Sequence, residues 1–389
     1  RLAIGDLEGR IQIVIASDPV YDVGGVMINP DSYEIEAVAF VKDREVWKAF
    51  DPEVREDLKR LSRVQRGEIT LLSRSRDDRT WIVAFIVDDG PVSYYVYHRS
   101  SKKTEFLFYN KPDLKKYSLS QMEPVSFRSR DGYTIHGYVT FPLGMKPRSL
   151  PMVINVHGGP WHRDTWGYDP EAQWLADRGY LCLQVNFRGS TGYGKKFLNA
   201  GDKEWGGKMH DDIVDAVQWA VKKGYADPKR VAIYGGSYGG YAALVGATFT
   251  PDLFRCAVDI VGPSNLLTFI RSIPPYWSNF LASLHKRVGN PDTEEEFLRS
   301  RSPLFKVDRI KIPLLIAQGA HDPRVKQAES EQIVEALKRK NIPYEYLLFP
   351  DEGHGFARPE NRITFYKAAE RFLAQQLGGR IQEEKGGKR

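Results

Sequence analysis

The sequence predicts an α/β protein in two parts. A mostly parallel sheet with helices on both faces is expected over residues 116–380, preceded by an all-β segment over 1–115. Three observations carry this reading. From about residue 150, continuous apolar runs of strand length alternate with amphipathic stretches, the pattern of buried parallel strands joined by crossover helices. Before residue 115, short β-type runs recur between turn signals such as Asp88-Asp89-Gly90-Pro91. Finally, Gly235-Gly236-Ser237-Tyr238-Gly239 stands directly between the apolar run Val231 to Tyr234 and the helical run from Tyr241. That is the strand, sharp turn, helix context of a nucleophile elbow, which marks an α/β-hydrolase domain.

In the all-β segment, strands are expected at Ile11–Ile15, Ile35–Phe40, Trp81–Val87, Ser93–Tyr97 and Phe106–Phe108. One helix interrupts them, with Pro52 near its start and the periodic run Val54 to Leu61. Strand, turn, strand at intervals of about 40–50 residues is how propeller blades read. The segment is long enough for two to three blades, short of the roughly four to eight that close a propeller. It is therefore expected to be a partial β-propeller whose unpaired edges invite a homo-oligomer. A hairpin from Val125 to Val139, turning at Asp131-Gly132, leads into the second domain.

The second domain's strands are expected at 152–156, 181–187, 230–234, 256–261, 313–318 and 344–349, with helices near 205–224, 237–249, 325–340 and 361–377. Ligands of open α/β sheets bind at the C-terminal ends of such strands, and the chemistry-bearing residues fall there. A serine hydroxyl needs a base, and the base needs an acid to fix its tautomer. Of the three histidines after Ser237, His354 follows the last strand in a loop flanked by Gly353 and Gly355. His285 sits in a helical stretch, and His321 adjoins the acid loop. Asp322 follows the strand before His354 and is the expected acid, with Asp259, inside a strand, as its rival. Acyl transfer also needs donors for the developing oxyanion, worth roughly 3–4 kcal/mol each. His157-Gly158-Gly159-Pro160-Trp161 follows a strand and offers the Gly158 and Gly159 amides, with the amide of Tyr238 as the second donor.

Composition limits the alternatives. The formal charge is +6 over 389 residues, but Lys and Arg are scattered among acids, as in Lys42-Asp43-Arg44-Glu45. No basic stripe with interleaved aromatics points to nucleic acid. No run reaches the roughly 18 apolar residues of a membrane span, so neither nucleic acid nor membrane is expected as a partner. Cys182 and Cys256 each lie in an expected buried strand, which suits small hydrophobes in a reducing compartment and a cytoplasmic location. The opening Arg1-Leu2-Ala3-Ile4-Gly5 has neither an initiator Met nor a signal-peptide core, so a fragment or processed form is expected. The tail over 381–389 is expected to be disordered.

These motifs resemble the prolyl oligopeptidase family of serine peptidases. Gly235-Gly236-Ser237-Tyr238-Gly239-Gly240-Tyr241 is similar to the family's GxSYGGY elbow, and Arg188-Gly189-Ser190-Thr191-Gly192-Tyr193-Gly194 to its RGSxGYG segment. Asp322-Pro323-Arg324-Val325 and Gly353-His354-Gly355 resemble its acid and base loops. Within the family, His157-Gly158-Gly159-Pro160 looks like the acylaminoacyl-peptidase branch, because other branches carry an oxyanion tyrosine where His157 stands. The dipeptidyl branch grips the substrate amine with paired propeller glutamates, whereas Glu294-Glu295-Glu296 lies in the other domain. Dipeptidyl-peptidase activity is accordingly not expected.

The resemblance implies a serine hydrolase that cleaves short peptides or acylated amino-acid substrates through an acyl-enzyme on Ser237, with no metal and no cofactor. A carboxylesterase acting on small esters is the second reading, and a non-catalytic interaction protein on a hydrolase fold the third. Trp161, Tyr276 and Trp277 are the expected apolar pocket for the acyl group or side chain.

Overall fold

The computed structural model describes residues 1–382. It divides into two compact units, the first comprising Arg1–Pro124, Thr165–Gln173 and Gly192–Gly194. The second comprises Val125–Asp164, Trp174–Thr191 and the chain from Lys195 onward. The division falls at Pro124 rather than at 115 because the approach to it is tied to the first unit. The Met122 N–H donates to Asp88 (2.8 Å) and the Ser120 N–H to Gln173 (2.9 Å). Most of the tail expected to be disordered, from 383 on, lies outside the described residues.

The first unit is built from β1 (Leu2–Gly5), β2 (Ile11–Ala16), β3 (Val23–Ile28), β4 (Ile35–Val41), β5 (Glu45–Ala49), α1 (Pro52–Leu61), β6 (Glu68–Arg74), β7 (Thr80–Ile86), β8 (Ser93–His98) and β9 (Lys103–Tyr109). They form a ribbon (β1-β2), a three-stranded sheet (β3-β4-β5) and a four-stranded antiparallel sheet (β6-β7-β8-β9). A four-stranded antiparallel meander is the unit of a propeller blade. Helix α1 starts where Asp51 accepts from the Val54 N–H (2.8 Å) and Pro52 presets the backbone. It buries Val54 and Leu61 against Trp81, Phe85 and Tyr97. Around this core run buried ion pairs: Arg74 holds Glu36 (2.6 Å) and Asp78, and Arg99 holds Asp57 (2.7 Å) and Asp78.

From Met122 the order is β10 (Met122–Arg128), β11 (Thr134–Thr140), β12 (Leu150–Val156), α2 (Pro170–Asp177), β13 (Leu181–Asn186), α3 (Gly194–Asn199), α4 (Lys208–Lys222), β14 (Ala226–Gly236), α5 (Tyr238–Phe249), β15 (Cys256–Ile260), α6 (Leu266–Arg271), α7 (Leu281–Arg287), α8 (Glu295–Arg301), β16 (Leu314–Gly319), α9 (Gln327–Arg339), β17 (Tyr344–Phe349) and α10 (Pro359–Leu377). The strands form one eight-stranded sheet, ordered β10-β11-β13-β12-β14-β15-β16-β17. All neighbours from β13 to β17 are parallel, and β11 joins β13 antiparallel. Strands β12, β13 and β16 are buried along their whole length, as both faces being covered requires. The chain places β13 on one side of β12 and β14 on the other. That reversal opens a crevice beyond the carboxyl ends of β12 and β14, the ends that lead into Gly158 and Ser237.

Candidate active site

Ser237 sits in the turn between β14 and α5 with φ 58° and ψ −115°, a left-handed region that costs a non-glycine residue about 1–3 kcal/mol. The surroundings hold it there. Its N–H donates to the Ile260 carbonyl (2.8 Å), and its own carbonyl accepts from the Tyr241 N–H (3.0 Å). The first turn of α5 packs so closely on the end of β12 that a Cβ on Gly239 would lie 2.0 Å from the Val156 carbonyl oxygen. Only glycine fits at that position, which is one physical reason for the GxSxG spacing.

Asp322 and His354 lie in the loops after β16 and β17. The buried Asp322 spends one oxygen on the Arg324 and Val325 N–H groups (2.8 and 2.9 Å). The other is 2.7 Å from His354 Nδ1. The two loops are stitched by the His321 N–H donating to the Glu352 carbonyl (2.9 Å). Glu352 in turn folds the base loop around itself, accepting from the Ala357 and Arg358 N–H groups and the Asn361 amide (2.9, 2.8 and 2.9 Å). Burial works against its ionisation, but these donors outweigh it and hold its carboxyl below the usual glutamate range.

Gly158 and Gly159 follow β12. Gly159 has φ +117°, a conformation that favours glycine. The His157 ring is buried, stacked on Phe187 at 4.4 Å, and burial pushes its pKa down to about 4. It is therefore neutral, with Nδ1–H donating to the Gly158 carbonyl (2.8 Å) and Nε2 accepting from the Ser190 hydroxyl (3.0 Å). Drawing the Gly158 carbonyl to one side turns the Gly159 N–H to the other, because a trans peptide opposes them. The neighbouring Arg188 is buried and locked by Asp131 (2.7 Å to each oxygen) and Asp212 (2.7 and 2.8 Å). This fixes the Arg188–Ser190 segment that holds His157.

Ser237, His354, Gly158, Gly159 and Tyr238 line one cavity of about 490 Å³. Of the three expected pocket residues, Trp161 and Trp277 line it as well. Tyr276 does not: it is 64% exposed, on the outer side of a short 3-10 turn over Pro275–Phe280. The rest of the lining was missed by sequence reasoning: Trp205, Pro263, Phe269, Phe280, Leu284, Arg324 and Val325. Trp205 is the hub of this aromatic wall, 4.7 Å from the Tyr238 ring, 6.2 Å from Phe269 and 6.3 Å from Trp161. Arg324 and Val325 stand in the acid loop beside Asp322, but no local pattern marks the other five, which come from loops and helices far apart in the chain. Arg324, with its guanidinium 5.5 Å over the Trp277 ring, is the one permanently charged group of the lining among the described residues.

Asp259, the rival acid, is buried in β15, with one oxygen accepting from the Gly262 N–H (2.9 Å). The bond to His354 belongs to Asp322 instead. His285 lies in the last turn of α7, and Glu294 precedes α8, paired with Lys203. Cys182 and Cys256 are buried and unbridged. Among the described residues, no cluster of three or more His, Cys, Asp or Glu side chains is arranged to hold a metal, and no helix is long and apolar enough to cross a membrane.

A serine on a strained elbow at the end of a parallel strand, in an eight-stranded sheet of this order, defines an α/β-hydrolase domain. More specifically, residues 166–380 match the prolyl oligopeptidase family, and the chain belongs to that family of serine peptidases. It is 51% identical to dipeptidyl aminopeptidase BIII of Pseudoxanthomonas mexicana, an alignment covering 97% of this chain and 56% of that protein. It is 46% identical to dipeptidyl peptidase family member 6 of Caenorhabditis elegans, over 92% of this chain and 52% of the other. The chain thus spans about half the length of these relatives. Its fold is similar to that of a Pyrococcus horikoshii acylaminoacyl peptidase, with TM-score 0.76 and 23% identity over 94% of this chain and 57% of that one.

Proposed function

We propose that this chain carries the catalytic part of a serine peptidase that cleaves short peptides or acylated amino-acid substrates through an acyl-enzyme on Ser237. The observation that carries the reading is the 2.7 Å contact of buried Asp322 with Nδ1 of His354, which lines the same cavity as Ser237. Asp322 keeps the proton on Nδ1, which leaves Nε2 as the base. Ser237 Oγ attacks the carbonyl carbon as His354 Nε2 takes its proton. The carbonyl oxygen, now an anion, is received by the Tyr238 N–H at the head of α5 and the Gly158 or Gly159 N–H. His354 then gives its proton to the leaving amine, and a water activated by the same nitrogen frees the acyl group. The aromatic wall favours a large apolar side chain on the acyl residue.

Ester turnover is expected alongside, since an activated alcohol leaves without needing that proton. A carboxylesterase is therefore the second reading, favoured by oxyanion donors that are all backbone amides. Free-amine substrates stay open despite the position of Glu294 to Glu296, since two relatives whose sequences extend well beyond this chain carry dipeptidyl names. The unbridged cysteines fit a cytoplasmic setting. The edge strand β9, with Phe106 and Phe108 exposed, fits a homo-oligomer.

The test is labelling of Ser237 with a fluorophosphonate, followed by a comparison of p-nitrophenyl esters, N-acetylated aminoacyl anilides and free-amine dipeptidyl anilides. A folded chain that refuses the label ends the enzyme reading in favour of an interaction protein. The anilide with the highest kcat/KM decides between an acylated and a free amino end, and turnover of esters alone leaves the esterase.

A further inference from the structure

We propose that Glu329 is a positioning residue for the substrate pocket, fixing the start of α6 so that Phe269 stands in the pocket wall. The proposal rests on the reading of Ser237 as nucleophile. Glu329 lies in the first turn of α9, the helix that the Asp322 loop leads into, and it is buried. Its carboxylate turns away from that loop and closes on the segment after β15. One oxygen accepts from the Ser264 and Asn265 N–H groups (3.0 and 2.9 Å). The other accepts from the Thr268 hydroxyl. The Glu329 carbonyl takes the Ser264 hydroxyl as well (2.6 Å).

The residues on either side of this gripped segment, Pro263 and Phe269, both line the cavity. Phe269 lies nearly parallel to Trp205, with 25° between ring planes, and Trp205 meets Tyr238 edge-on. A continuous series of contacts therefore runs from α9 through α6 to the residue after the nucleophile. A surface helix has no need of a buried carboxylate at this position. Removing it leaves the backbone N–H groups of the buried Ser264 and Asn265 without an acceptor, which the segment can relieve only by moving. Such a movement shifts Phe269 and leaves Ser237, His354 and Asp322 in their own loops.

The experiment uses the full chain and two substrates, the p-nitrophenyl esters of N-acetyl-phenylalanine and N-acetyl-alanine, with fluorophosphonate labelling as an independent report on Ser237. Glu329→Ala is expected to lower the Phe-over-Ala ratio of kcat/KM about tenfold, through KM of the aromatic ester, with labelling within about twofold of wild type. Glu329→Gln is expected to keep the ratio within about twofold, since its carbonyl still receives the two N–H groups and its amide can donate to Thr268. An unchanged ratio in Glu329→Ala, or equal losses on both esters, overturns the proposal. If Glu329→Ala does not fold, Thr268→Val carries the test. It is expected to lower the same ratio about threefold, and an unchanged ratio there overturns the proposal too. Wild-type chain that neither turns over an ester nor takes the label refutes the nucleophile reading itself, a separate result.

Discussion

The loops that carry Ser237, Asp322 and His354 and the aromatic wall beside them border the same cavity, yet different forces hold them. In the loops almost every fixing contact is a backbone hydrogen bond or a carboxylate folded onto backbone N–H groups, as at Ser237 with Ile260, Asp322 with Val325 and Glu352 with Ala357. The wall is ring against ring, with Trp205 at the centre. Hydrogen bonds fix atoms to within tenths of an ångström and fail when a partner is lost. Ring contacts are broad and tolerate small shifts. Damage to the loops should therefore appear in kcat, and damage to the wall in KM and selectivity.

The sharpest separation of the two is expected from Ser237→Ala, which leaves both scaffolds intact. It should lower kcat for ester hydrolysis by about 10⁶-fold while the aromatic ester still binds. Hydrolysis retained at a tenth of wild type would place the nucleophile elsewhere. Next is Gly239→Ala, which forces a Cβ to 2.0 Å from the Val156 carbonyl oxygen, with backbone on both sides of the clash. A loss of about 4 kcal/mol or more of stability is expected, read from denaturant unfolding. A variant with wild-type stability would mean the elbow is more pliable than its packing implies. In the wall, Trp205→Ala is expected to cost about 3 kcal/mol of stability. It should raise KM for N-acetyl-phenylalanine esters about tenfold with kcat within about threefold. A loss confined to kcat would erase the distinction between wall and loops.

The same difference explains what could be read from the sequence. The elbow at Ser237, the acid loop at Asp322 and the base loop at His354 are local: a few consecutive residues specify each turn, and glycines mark where the backbone comes close. The sheet was legible because strands such as β12, β13 and β16 are buried on both faces and read as unbroken apolar runs. In the first unit, β3 carries Gly24-Gly25 and β5 alternates exposed and half-buried residues, so neither stood out. Most of the wall was illegible for a different reason. Trp161 and Trp277 could be picked out from the segments they stand in, but Trp205, Phe269 and Phe280 are brought to them only by the fold, and each alone reads as an ordinary core aromatic. Tyr276, expected in the pocket with Trp277 because their segment lies between the strand at 256–261 and the acid loop, faces outward because a single 3-10 turn separates adjacent side chains. Glu329 reads as one more surface glutamate on an amphipathic helix until its partners on α6 are seen.

The smallest effect expected concerns Asp259, which lies beneath the elbow and belongs to neither scaffold. Burial pushes its carboxyl up to about 8, opposed only in part by the Gly262 N–H. Its second oxygen has no hydrogen-bond partner among the described residues. Between pH 4 and pH 8 the folded chain therefore keeps a proton here that the unfolded chain has released. With more protons bound in the folded state, stability must fall as pH rises through that window, by at most about 1.4 kcal/mol per pH unit from this group. Asp259→Asn is a neutral mimic of the protonated acid: its oxygen can still accept from Gly262, and its amide replaces the unpartnered oxygen. From pH 6 to pH 8 the wild type is expected to lose about 2–3 kcal/mol more stability than the variant, all other groups cancelling in the difference. The two should be alike only below about pH 4, where the acid is protonated in both folded and unfolded chains. Parallel curves from pH 5 to pH 8 would mean that Asp259 is ionised throughout and finds a counter-charge. The elbow would then rest on an electrostatic contact as well as on its backbone bonds.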